Sequence, residues 1–192
     1  MVPTLQLWMP ILASAVVVFV ASSIIHMVLK YHQSDYRGLP AEDEIMASLR
    51  QHDLPAGDYM MPHCEDGGAA MKDPAFMERW NKGPVALLTV WKPGPPAMGA
   101  QLGQWFIFCV VASGFAAYLT GRALDPGADY MDVFRFAGTA AFGAYALGGI
   151  PESIWFKRAW SARFKHVLDG FIYGLLTGGI FGWLWPAGAS AG

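Results

Sequence analysis

The side chains able to do chemistry in this chain are few: five histidines, two cysteines and a handful of carboxylates. Neutral imidazole, thiolate and carboxylate are donors for zinc, iron or copper, and a catalytic ion would keep one position open for water. His26, His63, Cys64 and His166 are the candidate metal ligands. Glu152, Asp169 and Gln104 are further members of a candidate polar cluster, onto which His32 could fold back. The spacing itself is no metal signature, because the chain has neither His-Glu-x-x-His nor Cys-x-x-Cys, and adjacent His63 and Cys64 rarely reach one ion together. Met60 and Met61 beside that pair add soft thioethers, which point to copper. His26 and His166 are also a conceivable axial pair for haem, although no Cys-x-x-Cys-His attachment is present. Dinucleotide fingerprints and phosphate loops are missing, so no reaction is named. The plainer account is interfacial imidazoles bonded to neighbours or headgroups. For Asp169 it is a first-turn carboxylate favoured by the helix dipole and paired with Lys165 four residues earlier.

Whether these residues meet depends on the elements that carry them. Of the 192 residues, 54% are hydrophobic and 15% charged, too apolar for an average soluble domain, and the excess lies in four runs. Residues 7–25 carry no charge, are long enough to cross a hydrocarbon core of about 30 Å, and read as a retained anchor rather than a cleaved signal. Residues 102–120 and 167–185 have the same length; residues 133–156 carry Arg135 and should kink at Pro151. The expected fold is therefore all-α: a four-transmembrane-helix bundle with a partly helical cytoplasmic insert. Residues 1–30 supply the first helix, 31–100 the polar insert and 101–192 the other three.

Four crossings put both termini on one face and the insert, with the 157–165 connection, on the other. Lys30, Arg37, Lys92, Lys157, Arg158, Arg163 and Lys165 lie near the span ends of this loop face, against Arg122 and Arg135 on the terminal face. The positive-inside rule then makes the loop face cytoplasmic. Trp8, Trp183 and Trp185 mark one interface and Trp105, Trp155 and Trp160 the other. His26, Gln104, Glu152, His166 and Asp169 all fall near the loop-face boundary, where ionisable groups are expensive unless paired or wetted.

Gly170, Gly174, Gly178 and Gly182 recur every four residues, a groove that lets another backbone approach closely where lipid gives no hydrophobic drive. Ala140, Ala144 and Gly148 form one candidate partner row, and Ser113, Ala117 and Gly121 another. Packing within the bundle is expected, with a second subunit as the alternative.

The insert holds ten of the 15 acidic residues. It should contain two short amphipathic helices, one starting at Pro40 with Glu42, Asp43 and Glu44 in its first turn, the other capped by Asp73 and burying Phe76, Met77 and Trp80. Residues 84–91 form an apolar octet that reads as re-entrant or interfacial, and Lys92, Pro93, Gly94, Pro95 and Pro96 as a stiff turn. Cys64 and Cys109 suggest no disulfide framework and a reducing compartment. A net charge of −2 gives no basic footprint for nucleic acid.

The stretches Tyr59-Met60-Met61-Pro62-His63-Cys64, Gly83-Pro84-Val85-Ala86-Leu87 leading to Pro93-Gly94-Pro95-Pro96, and Phe181-Gly182-Trp183-Leu184-Trp185-Pro186 resemble those of small bacterial inner-membrane proteins. The resemblance implies a bacterial integral membrane protein and brings no activity or ligand with it. Taken together, the sequence favours an accessory or scaffold subunit of a membrane assembly, its partners the bilayer and a membrane protein or second copy of the chain. The alternatives are a metal- or haem-binding membrane protein, with an enzyme acting on a lipid-soluble substrate as one form of it, and small-solute transport.

Overall fold

The computed structural model describes residues 1–65, 67–95 and 97–188. In chain order the elements are α1 (Trp8–Met27), α2 (Glu42–Arg50), β1 (Gly57–Met61), α3 (Pro74–Lys82), β2 (Ala86–Val90), α4 (Met98–Ala123), α5 (Tyr130–Ala146), α6 (Ile150–Trp155) and α7 (Trp160–Trp183). A 3-10 turn at Thr4–Leu7 leads into α1, and another at Lys30–Asp35 follows it. The chain divides into two compact units, residues 1–37 with 97–192 and residues 38–96. The boundary differs from the expected one at residue 31, because residues 31–37 fold with the helices and not with the insert.

In the first unit α1, α4, α5 and α7 close a ring in which each packs on two neighbours, the α5–α7 contact being the most extensive. The pattern is inside-out. Small or polar side chains fill the interior: Ser14, Ala15 and Ser22 of α1, Ala112, Ala116 and Ala117 of α4, Thr177 of α7. Large apolar ones face outward, including Val16, Val20 and Ile24 of α1 and Ile107, Val111 and Phe115 of α4. Such a surface suits hydrocarbon, not water. Three helical stretches are long and apolar enough to cross a membrane: Thr4–Met27, Met98–Ala123 and Tyr130–Trp155. The third is interrupted by a 3-10 turn at Leu147–Gly149, just before Pro151, which sits in the first turn of α6, where its missing N–H is harmless. Among the described residues, α7 is not one of these three. Arg163, Lys165, His166 and Asp169 in its first ten residues lower its hydropathy.

The glycine row of α7 packs within the chain. A Cβ on Gly174 would lie 2.9 Å from the Gly138 carbonyl oxygen, one on Gly178 2.6 Å from that of Phe134, and one on Gly170 2.8 Å from the Ala146 Cβ. The facing row on α5 is thus Tyr130, Phe134, Gly138, Phe142 and Ala146, and not the expected Ala140, Ala144 and Gly148; Gly148 has open space around it. Gly138 decides this register, since it alone brings a second bare backbone to the contact. Ser113, Ala117 and Gly121 are buried but do not face the glycine row either; Gly121 lies against the chain before α1, where its carbonyl accepts from Val2 at 2.8 Å. Trp105 is not an interfacial indole: it is half-buried, donates to Ser22 Oγ at 2.7 Å and lies 6.2 Å from the Tyr173 ring.

In the second unit β1 and β2 pair antiparallel with Tyr59 opposite Leu88, and Asp58 accepts from Thr89 at 2.7 Å. The apolar octet, expected to be re-entrant or interfacial, is largely a strand, its Ala86, Leu88 and Val90 half-buried in alternation. Asp73 caps α3 by accepting from the Ala75 N–H, and Phe76 is buried. Pro96 of the expected stiff turn lies outside the described residues.

Gly178→Ala is expected to destabilise the bundle by about 1–3 kcal/mol through overpacking, whereas Gly148→Ala should be close to neutral. Thermal unfolding of both variants in mild detergent checks this; equal midpoints would remove the α5–α7 backbone contact as a stabilising feature.

Candidate metal centre

Helix α1 ends at Met27, with Val28 still donating back to Ile24, and Leu29 is extended. The chain then turns through Lys30–Asp35, where side chains three apart eclipse one another, so His32 and Asp35 share a face. That face meets the first turns of α7. His32 Nδ1 lies 2.6 Å from Asp35 Oδ2, and His32 Nε2 lies 2.9 Å from Asp169 Oδ2. The Tyr31 hydroxyl donates to the other Asp169 oxygen. Lys165 Nζ donates to Asp35 Oδ1 at 2.6 Å, to the Tyr31 carbonyl at 2.6 Å and to Ser34 Oγ at 2.8 Å. The His26 and His166 rings flank His32, with centroids 4.5 and 5.3 Å from it.

Two sets of potential ligand atoms result, each within 4.8 Å of one another: His26, His32 and Asp169, and His32, Asp35 and His166. Both are two imidazoles and one carboxylate sharing His32. Asp169 is buried, His32 and Asp35 are half-buried, and His26 and His166 are exposed, so the cluster has a closed floor and an open rim.

The electrostatics favour an ionised Asp35 at the turn. Burial pushes the Asp35 carboxyl upward, but hydrogen bonds from Lys165 and His32, with their charge, outweigh burial and hold it below the ordinary range. Burial, followed by the hydrogen bond to Asp169, pushes the Tyr31 phenol well above its usual value, so it remains a donor. If His32 donates from Nδ1 to Asp35, its Nε2 lone pair faces a carboxylate oxygen 2.9 Å away. Only a cation, proton or metal, reconciles those two groups. An imidazole held from behind by a carboxylate is also the usual support of a metal ligand.

Of the residues singled out from sequence, His26, His166 and Asp169 come together. Glu152 does not join them: it pairs with Arg163 at 2.8 Å and ties α6 to α7. Gln104 is exposed on α4 and takes no part. His63 and Cys64 belong to the second unit, just after β1, and among the described residues neither enters a metal-capable group. His26 and His166, the conceivable haem pair, each have the His32 ring beside them, 4.5 and 5.3 Å away. Lys165 reaches across to Asp35, and Asp169 takes Tyr31 and His32, so the expected Lys165–Asp169 pair does not form. Tyr31, Asp35 and Lys165 were missed as members; the His-x-x-Asp spacing of His32 and Asp35 behind the end of a span was the available signal. Set against protein-family models, curated proteins and solved structures, the chain matches none, so the site is read from its own geometry.

Because the Asp35 carboxyl is depressed in the folded state, its contribution to stability is full above the unfolded value of about 3.9 and is lost as pH falls through the folded one. Asp35→Asn should therefore flatten the acid limb of thermal stability below about pH 4. An unchanged acid limb in this variant would remove the Lys165–Asp35–His32 contact as its source.

Proposed function

We propose that this protein is a four-span bacterial inner-membrane protein that holds a divalent transition-metal ion at the cytoplasmic mouth of its helical bundle. The observation that carries the reading is the convergence of His26, His32 and Asp169, from α1, the following turn and α7, with ligand atoms within 4.8 Å of one another. Two imidazoles and a carboxylate with an open side suit non-haem iron, and suit zinc with a bound water. Donor atoms 2.9 Å apart, as in His32 and Asp169, subtend about 90° at an ion about 2.1 Å from each, which favours six-coordinate iron or manganese over tetrahedral zinc. Asp35 and Lys165 would hold His32 from behind, and Tyr31 would orient Asp169.

The fourth crossing is α7. Its 24 residues extend about 36 Å at ~1.5 Å per residue, and its outward Leu168, Phe171 and Leu175 are exposed and apolar. Its charged residues are gathered at one end, where a headgroup region accommodates them. With four crossings both termini lie on the outer face and residues 38–96 in the cytoplasm. A scaffold role needs only packing surfaces, and the glycine row that would serve a partner faces α5 instead.

The test is elemental analysis of full-length, tag-free protein purified in mild detergent after expression with metals supplied. About one ion per chain is expected, reduced at least about tenfold in His32→Ala and in Asp169→Asn, and about 10- to 100-fold in affinity by Asp35→Asn. Metal-free protein under these conditions overturns the reading and returns the scaffold role to first place.

A further inference from the structure

Arg122 and Arg135 belong to neither the metal centre nor the bundle core. Arg122 is one residue from the end of α4, and Arg135 lies in the second turn of α5, about 7 Å along the axis from Tyr130 at ~1.5 Å per residue. The Arg135 side chain is 69% exposed, within a stretch apolar enough to cross a membrane. Its ion-pair partner, Asp132, is one turn back at 3.8 Å and itself 56% exposed. Arg122 rests over the Tyr118 ring at 5.5 Å. Both arginines line one open groove of about 630 Å³ between α4 and α5, with Leu119, Phe136 and Ala140 among its other walls. Arg135 and Thr139 also line a second groove, about 390 Å³, on the α7 side of α5, walled by Phe142, Phe171 and Leu175.

A guanidinium on a lipid-facing surface is stable only with a wetted or anionic partner, and at the end of a span the available anion is a headgroup phosphate. Two apolar grooves diverging from one arginine match the two acyl chains of a single lipid. We propose that Arg122 and Arg135 bind the phosphate of an anionic phospholipid whose acyl chains straddle α5, one in each groove. Arg135 is the anchor shared by both grooves. Arg122 adds the second charge, which offsets Asp132 and selects a net anionic headgroup over a zwitterionic one.

Native mass spectrometry of the full-length protein, released from detergent after incubation with equal amounts of phosphatidylglycerol and phosphatidylcholine, tests this. Wild type should retain phosphatidylglycerol preferentially, by about fivefold for each arginine, the factor that about 1 kcal/mol per basic residue gives. The double variant Arg122→Gln/Arg135→Gln should fall to near parity. Should it not fold, Arg135→Gln alone, at an exposed position, should lose about fivefold. Loop-face Lys157→Gln/Arg158→Gln should keep the preference. Equal retention in wild type, or a preference undiminished in Arg135→Gln, overturns the proposal. Displacement of the lipid by excess inorganic phosphate also overturns it, by showing a site for the free anion.

Discussion

The arrangement rests on how closely α5 and α7 can approach. Lipid offers helices no apolar gain for leaving it, so association depends on contact area and on backbone proximity, both of which side-chain bulk limits. Gly174 and Gly178 set their backbones directly against Gly138 and Phe134, and Gly170 meets Ala146 at the far end of the same row. That last contact fixes more than packing. Gly170 follows Asp169, so pinning it on α5 sets both the depth and the facing of the carboxylate, which is turned away from α5 toward the chain that leaves α1.

A carboxylate so placed constrains its surroundings in turn. Asp169 is 2% exposed, and leaving such a charge without its partner costs about 3–5 kcal/mol, a large part of the roughly 5–15 kcal/mol that keeps a domain folded. Its partners are Tyr31 and His32, both on the 3-10 turn after α1, which therefore folds back over α7 instead of joining the insert. Lys165, one turn before Asp169, holds the turn from its other side through Asp35 and the Tyr31 carbonyl. The polar cluster and the path of the chain are one problem with one solution, and the same donors that stabilise the turn make up the proposed ligand set.

Much of this was legible in sequence where a local rule acts over many residues. The apolar runs, the break near Pro151, the four-residue glycine spacing and the Asp73 cap all follow from composition or short-range geometry, and they appear in the structure. What was not legible depended on which face of one helix meets which face of another. Two spacings of small residues competed as partners of the glycine row, and Gly138 was in neither of them. Residues 31–37 look like the start of a soluble segment because they are polar; only the buried Asp169 reveals that this polarity is spent inside the bundle. Glu152 resembled a site residue by its depth alone, but Arg163 lies closer to it than the cluster does and takes it. Residues 84–91, read as interfacial from apolarity, alternate with the period of a strand once paired with β1.

The distribution of polar groups along the bundle axis separates binding from passage. At the loop-face rim His26 and His166 are exposed, and His32 and Asp169 lie beneath them. One to two turns further along α7 stand Tyr173 and the buried Thr177, with Ser14 of α1; among the described residues the hydroxyls of Ser14 and Thr177 find no partner. Beyond them the interior closes on Leu7, Ala117, Val133, Ala137 and Phe181. The buried Thr120 at that end turns its hydroxyl back to the Ala116 carbonyl, presenting nothing to a solute. An ion entering from the rim would meet two imidazoles and a carboxylate, then the hydroxyls of Ser14 and Thr177, and then an apolar plug of buried side chains. Entry and exit would share one mouth. A group held at the proposed site would exchange through that one mouth, as the proposed binding centre requires.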